Sequence, residues 1–249
     1  MTDRETRRLS FGSVATDYDR YRPAPPPQAL DWLIPPGAQA VLDLAAGTGA
    51  VTRELVGRAQ RVIAVEPDER MRAVLSAGCP EAEALAGRGE DIPLPDASVD
   101  AVVISAAWHW LDHERAVPEI TRVLRVGGVL GVMWIARDMR VPWVAEFNQL
   151  RQVDRRADGA RPGRRHREVT FPPGTPMSAV EEHTVEYSLP MTKDELFGLL
   201  GTYSGVITLD PGRRESFSRR AWAFLDRQPW DRTDLPLICR CLRSTRLPG

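Results

Sequence analysis

The chain has 249 residues, 43% hydrophobic and 27% charged, the balance of a soluble domain able to bury a sizeable core. Its 33 Lys plus Arg stand against 34 Asp plus Glu, and a near-neutral total gives no reason to expect bulk attraction to nucleic acid or an anionic membrane. The longest apolar stretch, residues 99–111, is interrupted by His109 and falls far short of the roughly 20 residues needed for a bilayer span.

Residues 1–8 mix acids and bases and lead into no apolar run, so a cytoplasmic protein is expected. Pro23, Pro25, Pro26, Pro27, Pro35 and Pro36 restrict residues 1–38 to short helices over 11–17 and 28–33, joined by extended turns, and the segment reads as a lid. From 39 to 134, β-branched runs alternate with helical patterns, which predicts βαβ units and a parallel sheet. The predicted strands are 40–44, 61–65, 82–86, 99–105 and 129–134, with crossover helices around 51–56 and 69–75. Pro118 reads as a first-turn proline of a helix over 119–125 that Gly127 and Gly128 end.

Residues 151–168 hold seven arginines against Asp154, Asp158 and Glu168, and predict a solvated loop or an anion-preferring one, for an acidic substrate or RNA. A strand over 184–189, helices over 193–200 and 212–227, and a last strand over 235–242 follow. Cys79, Cys239 and Cys241 lack metal-ligand spacing and read as reduced structural thiols. His109 and His113 lie four apart without a matching third ligand, so no metal site is expected.

The strongest chemical signal is the run from Val41 to Gly49, a strand entering a tight glycine turn and then a helix. Glycine there lets a ligand approach the backbone closely. Glu66 follows Gly49 by 17 residues at the end of the second strand, where an acid can accept both ribose hydroxyls of a nucleoside cofactor. A dinucleotide-binding turn wants a third glycine where this chain has Thr52, which weakens a nicotinamide reading.

Four blocks in order, at fitting distances, carry a resemblance: Asp43 to Gly49, Glu66 to Asp68, Gly89 to Asp96 with Asp100 after it, and Arg122 to Gly128. Together they resemble the class I S-adenosylmethionine-dependent methyltransferases, in particular the small-molecule group of the trans-aconitate and methyltransferase type 11 kind, over most of the chain. The resemblance implies a Rossmann-like, doubly wound α/β fold: a seven-stranded sheet with an antiparallel last strand, helices on both faces and an N-terminal helical lid. It implies one domain over 1–249, divided into a lid (1–38), a cofactor-binding core (39–135), a helix with the basic loop (136–182), and C-terminal strands with substrate-side helices (183–249).

Carried onto this chain, the family pattern sets Ala45, Gly47 and Gly49 under the methionine part of S-adenosylmethionine, with Asp43 near its amine. Glu66 and Pro67 fall at the ribose, and Gly89 with Glu90 or Asp91 beside adenine; many relatives have Asp where this chain has Arg88, so either carboxylate remains a candidate. Ser105 and Ala106 would offer carbonyls to the ammonium group. From the N-terminal stretch, Tyr18, Tyr21 and Arg22 would close over the cofactor, the guanidinium meeting its carboxylate; the alternative is a plain surface helix.

Trp108, His109 and Trp110 follow the fourth strand, where open α/β sheets place substrate. The indoles read as walls of an apolar acceptor pocket, and His109 either as a base or as a structural histidine between them. Phe11, Tyr203 and Ser204 complete the substrate-side candidates, the last two equally readable as a helix end. The expected activity is methyl transfer to a small molecule, most simply to oxygen, leaving S-adenosylhomocysteine. The competing readings are a tRNA or protein methyltransferase, an NAD-dependent oxidoreductase, and a non-catalytic or non-methylating cofactor binder.

Overall fold

Short runs rich in Val, Ile, Leu and Ala alternate with helical segments through the first half of the chain, and each run forms a strand. The computed structural model describes residues 11–150 and 168–249. After a 3-10 turn at Phe11–Val14, helices α1 (Ala15–Tyr21) and α2 (Pro27–Leu33) lead to strand β1 (Ala40–Leu44). Then come α3 (Ala50–Leu55), β2 (Arg61–Val65), α4 (Glu69–Gly78), β3 (Glu83–Leu85) and β4 (Val99–Ser105). A second 3-10 turn, Trp108–Trp110, precedes α5 (His113–Val123), β5 (Leu124–Arg137) and α6 (Pro142–Gln149). The remainder is β6 (Glu181–Thr192), α7 (Lys193–Gly201), α8 (Ser204–Ile207), α9 (Pro211–Asp226) and β7 (Arg232–Thr245).

These strands make one seven-stranded sheet in the order β3-β2-β1-β4-β5-β7-β6. β1 pairs in parallel with β2 and β4, β2 with β3, and β4 with β5. β7 runs antiparallel to β5: Gly127 and Gly128 exchange hydrogen bonds with Arg246, while Asp138, at the other end of β5, bonds Pro236. The doubly wound sheet with an antiparallel last strand is therefore present as the family resemblance implied.

The chain divides into two compact units. The larger comprises described residues 24–135, 168–185 and 239–249. One sheet face there carries Leu42, Leu44, Val102, Ile104, Leu130 and Val132, packed with Ala116, Val117, Ile120 and Val123 of α5. On the opposite face α2 is set against β5, so close that a Cβ on Gly131 would lie 3.0 Å from Leu33. Ala29, Leu30 and Leu33 are fully buried, each leucine contributing about 1.5–3 kcal/mol. Residues 27–33, read from sequence as the second half of a flap, are thus a layer of the core.

Two sequence expectations need correction. Pro118 is inside α5 rather than in its first turn, because the apolar stripe begins two residues earlier, at the buried Ala116 and Val117, and Pro118 itself faces solvent. An interior proline forgoes one backbone bond, and the helix nevertheless continues to Val123. The helix also ends before 125: Leu124 is already extended (φ −67°, ψ 140°). Gly127 (φ +82°) and Gly128 sit within β5, where the register against β4 slips from Val99↔Leu124 to Ala101↔Val129. The glycine pair is a bulge in a strand, not a helix stop.

The smaller unit comprises described residues 11–23, 136–150 and 186–238. α7 opens with a capping box in which Thr192 accepts the Glu195 amide and Glu195 accepts the Thr192 amide. Its Gly198 receives Tyr21, whose ring occupies the space of a Cβ, 2.5 Å away. Phe197 stacks on Trp222 at 4.9 Å, and Phe147 lies 6.0 Å from Phe224. No described helix is long and apolar enough to cross a membrane. Cys79, Cys239 and Cys241 are buried free thiols, the last two with sulfurs 3.7 Å apart. The basic segment 151–167 and residues 1–10 lie outside the described residues.

Candidate functional site

Parallel strands deliver their carboxyl ends to one edge of the sheet, and most of the candidate residues in the larger unit follow those ends. β1 runs into the loop from Ala45 to Gly49, in which Ala45 (φ +59°), Gly47 (φ +59°) and Gly49 (φ +89°) all adopt left-handed backbone. For Ala45 that conformation costs about 1–2 kcal/mol. It is held there by the Val65 carbonyl, which accepts the Ala45 amide at 2.8 Å and the Ala46 amide at 3.2 Å. A Cβ on Gly49 would stand 2.9 Å from Leu75 Cγ, so only glycine lets α4 pack this close to the loop.

Glu66 ends β2 with 7% exposure. Its Oε2 accepts the Gly47 amide at 2.9 Å and its Oε1 the Asp68 amide at 2.9 Å. Burial pushes the Glu66 carboxyl above its ordinary value, and the two amide bonds offset part of that rise. Asp68 caps α4 on the Arg70 and Met71 amides, and Arg72 donates to the Glu66 carbonyl at 2.8 Å. The acid at the end of β2 is therefore fixed in direction before any ligand arrives.

Beneath the glycine loop Asp43 is 1% exposed, and its Oδ2 accepts the Thr52 hydroxyl at 2.6 Å. Burial raises the Asp43 carboxyl to about 7, the Thr52 bond opposing the rise and the Glu66 charge adding to it. Sequence reasoning treated Thr52 only as a missing glycine. Its hydroxyl, in the first turn of the helix that follows the strand and nine residues after the buried aspartate, was the signal that could have identified it as that acid's partner.

The 89–91 segment is a turn closed by mutual bonds between Arg88 and Asp91. Gly89 is buried, and a Cβ there would lie 2.8 Å from Leu111 Cδ2, so glycine is what brings this turn against the Trp108–Trp110 turn. Glu90 accepts the Asp112 amide at 2.9 Å, whereas Asp91 is exposed. Arg122 holds the following residues in place, donating to the carbonyls of Ile92 and Leu94 and to Asp96 and Glu119. Glu119 in turn accepts the Ile92 amide at 2.9 Å.

Ser105 closes β4, and Ala106 turns the chain with φ +55°, its amide on the Met133 carbonyl at 2.8 Å. The Trp108–Trp110 turn splits the roles predicted for its residues. Trp108 is 1% exposed within the core cluster and stacks on His113 at 4.6 Å, and His113 Nε2 hydrogen-bonds the Trp108 carbonyl at 3.0 Å. Trp110 and His109 are half-buried, their rings tilted 4.8 Å apart. Trp108 is therefore a core residue, while Trp110 and His109 remain partly accessible.

The remaining candidates gather in the smaller unit. The Arg22 guanidinium lies between the rings of Tyr18 (4.9 Å) and Tyr203 (4.3 Å) and donates to the Thr202 hydroxyl and carbonyl, both at 3.0 Å. The Tyr203 ring also meets Arg137 at 4.8 Å, and Arg137 lies 4.7 Å over Phe147 with Nη1 on Asn148 Oδ1 at 3.0 Å. Tyr21 is committed to Gly198, and Ser204 opens α8, its carbonyl accepting the Thr208 hydroxyl at 2.9 Å. Phe11 starts the first 3-10 turn. Arg137, 7% exposed at the end of β5 and not singled out from the sequence, joins the Arg22–Tyr203 cluster. Among the described residues no group of three or more His, Cys, Asp or Glu is placed to hold a metal ion.

In the larger unit the residues fit a nucleoside carrying a cationic, amino-acid-like arm. Each Glu66 oxygen carries a single amide bond and keeps lone-pair capacity for a ribose hydroxyl. Over the loop, a Cβ on Gly47 would meet only Met71 Cε at 3.6 Å, which leaves the backbone approachable. Two acids, Asp43 and Glu66, lie here with carboxyls raised by burial, and a cation would favour their ionised forms.

Known proteins similar to this chain are described as methyltransferases. Residues 42–132 match the family described as methyltransferase domain. An uncharacterized methyltransferase of Mycobacterium tuberculosis is 42% identical over 241 residues, covering 95% of this chain and 96% of that one. An uncharacterized methyltransferase-like protein of Schizosaccharomyces pombe is 30% identical over 211 residues, covering 83% and 82%. Among solved structures, a proposed type II methyltransferase from Anaeromyxobacter dehalogenans superposes with a TM-score of 0.65 at 27% identity, covering 92% of this chain and all of that one.

Proposed function

The chain belongs to the class I S-adenosylmethionine-dependent methyltransferases, and on that premise we propose that it methylates an oxygen of a small molecule held beside the Trp108–Trp110 turn. When bound, the cofactor supplies a methyl group on a sulfonium, already activated for displacement. The observation that carries the reading is the Glu66 carboxylate, aimed by the Gly47 and Asp68 amides and ready for two ribose hydroxyls.

Gly47 keeps the backbone open for the methionine arm, Gly49 lets α4 pack against the loop that carries it, and Asp43 lies beneath. Asp91 is the carboxylate we assign to the adenine amine, because Glu90 is engaged with the Asp112 amide. Ser105 and Ala106, at the end of β4, would offer carbonyls to the ammonium group. On the acceptor side, half-buried Trp110 and His109 give an amphipathic wall suited to a partly aromatic or apolar acceptor. An acceptor oxygen that is already anionic needs orientation and exclusion of water rather than a base. The buried free thiols of Cys79, Cys239 and Cys241 support a reducing, cytoplasmic setting.

Calorimetric titration with S-adenosylmethionine, S-adenosylhomocysteine and NAD tests the cofactor half of the reading. The expected result is binding of the first two and none of NAD. Binding of NAD instead would overturn it. Acceptor chemistry is then read by mass spectrometry of carboxylate- and phenol-bearing compounds after incubation with the cofactor, a gain of one methyl on oxygen being expected. Methyl gain on nitrogen or carbon alone would refute the oxygen assignment.

A further inference from the structure

Thr52 and Asp43 form a contact that the cofactor reading uses only as background charge. The hydroxyl donates to the carboxylate at 2.6 Å in a place where Asp43 is 1% exposed and Thr52 fully buried. Asp43 ends up with its carboxylate under the loop that receives the cofactor, on neighbours that leave its charge poorly compensated. β2 and β4 place Ala64 and Val103 in register with it, neither of them charged. From the end of β2 comes another acid, Glu66, and from the end of α4 the buried thiol Cys79, both of which interact with Asp43 electrostatically. Arg72 and Asp68 act on Glu66 and not directly on Asp43. The hydrogen bond from α3 is thus the principal stabilisation of the Asp43 anion.

We propose that the Thr52–Asp43 pair senses the charge of the bound cofactor. Asp43 releases a proton to solvent when the sulfonium form binds and takes one up when the uncharged thioether product replaces it. Thr52 is the positioning residue that sets the pH range of this exchange. The proposal rests on the cofactor reading above. Burial brings the Asp43 carboxyl to about 7, so at neutral pH a modest change in the charge above the loop shifts its protonation. A cation favours the ionised form; loss of the sulfonium charge removes part of that preference. The consequence is that product binding gains less than cofactor binding from Asp43 above neutral pH, which favours exchange of spent for fresh cofactor.

The test is titration calorimetry of the intact protein in two buffers of different ionisation enthalpy, at several pH values from 6 to 8.5, with S-adenosylmethionine and with S-adenosylhomocysteine. The wild type is expected to release more proton with the first ligand than with the second. Asp43→Asn should abolish that difference. Thr52→Val, nearly isosteric, should move the release to higher pH because the charged form loses its donor, and Thr52→Ser should move it back. Equal proton release for the two ligands in the wild type would overturn the proposal without any variant. So would a difference that persists in Asp43→Asn or a pH range that Thr52→Val leaves in place. If neither ligand binds the wild type, the cofactor reading itself fails and the proposal falls with it.

Discussion

Glu66 Oε2 accepts the Gly47 amide at 2.9 Å, so the acid at the end of β2 and the glycine loop after β1 are a single unit rather than two motifs 19 residues apart. The loop's direction and the carboxylate's direction are set by the same bond. Glu66→Gln keeps an acceptor for one ribose hydroxyl and presents a donor where the second acceptor stood. Glu66→Ala removes both acceptors and leaves the Gly47 and Asp68 amides to water. Hydrogen bonds to a charged group are worth about 1.5–3 kcal/mol. Affinity for S-adenosylhomocysteine should therefore fall about tenfold or more in Glu66→Gln and further in Glu66→Ala. Calorimetry on folded variants checks the order; equal affinity in all three proteins would remove Glu66 from the ribose site.

Gly89 and Leu111 offer a steric test of how the 89–91 turn meets the Trp108–Trp110 turn. A Cβ at 89 would be 2.8 Å from Leu111 Cδ2, and Leu111 is only 7% exposed, so it has little room to retreat. Gly89→Ala should destabilise by about 1–3 kcal/mol through overpacking. Leu111→Ala on its own opens a cavity, and the double variant should be more stable than the sum of the two single losses predicts. Urea unfolding of the four proteins measures the coupling, and strict additivity would show that the turns do not press on each other.

The parts of the fold set by local periodicity were readable in advance. β1, β2 and β4 stand where runs rich in Val, Ile, Leu and Ala placed them, and Glu66 directly follows β2. The misread parts depended on tertiary partners. Pro118 is tolerated within α5 because the helix is anchored by apolar residues on both sides of it, Ala116 and Val117 before and Ile120 and Val123 after. Gly127 and Gly128 look like a helix stop until Arg246, more than 100 residues later, pairs with them as strand. Trp108 and Trp110 are alike in sequence, yet only the packing of His113 decides which indole is core. For Arg137 the sequence shows a charge at a strand end, and its place between Phe147 and Tyr203 arises from segments far apart in the chain.

Asp43 should make the stability of the unliganded protein fall as pH rises. Its folded-state carboxyl titrates near 7, well above the ordinary carboxylate range of the unfolded chain. Between those values the folded state holds a proton that the unfolded state has lost, so raising the pH pulls toward unfolding. The penalty is absent well below pH 4, grows from there through 5 and 6, and is complete above 7, where it amounts to about 4 kcal/mol at most. Asp43→Asn removes the ionisation but keeps an acceptor for Thr52. Chemical denaturation from pH 5 to 8 should show the wild type losing stability relative to this variant, and parallel curves would contradict the assignment.

Arg122 should matter more than its half-exposed position suggests. Its guanidinium binds the Ile92 and Leu94 carbonyls as well as Glu119 and Asp96, so it anchors the chain just after the proposed adenine turn to α5. Arg122→Ala leaves these acceptors without that donor, at about 1–3 kcal/mol. Arg122→Lys keeps the charge but cannot make the forked contacts. Both variants should weaken cofactor binding by loosening residues 89–91, with faster amide exchange at 90–96. Unchanged exchange there would confine Arg122 to a surface role.

His109 decides between two kinds of chemistry. Its ring is half-buried and tilted against Trp110 at 4.8 Å. If the acceptor oxygen arrives ionised, as in a carboxylate, His109 contributes packing and orientation, and His109→Gln should lower kcat only a few-fold without altering its pH dependence. If the oxygen arrives as a phenol or alcohol, the histidine must take its proton, and the same substitution should cost about 10²–10⁴ in rate and erase the low-pH limb that protonation of a general base imposes. The reading of an anionic acceptor expects the first result. A pH–rate profile of wild type and His109→Gln on the same acceptor separates the two, because a packing role changes the height of the curve while a base changes its shape.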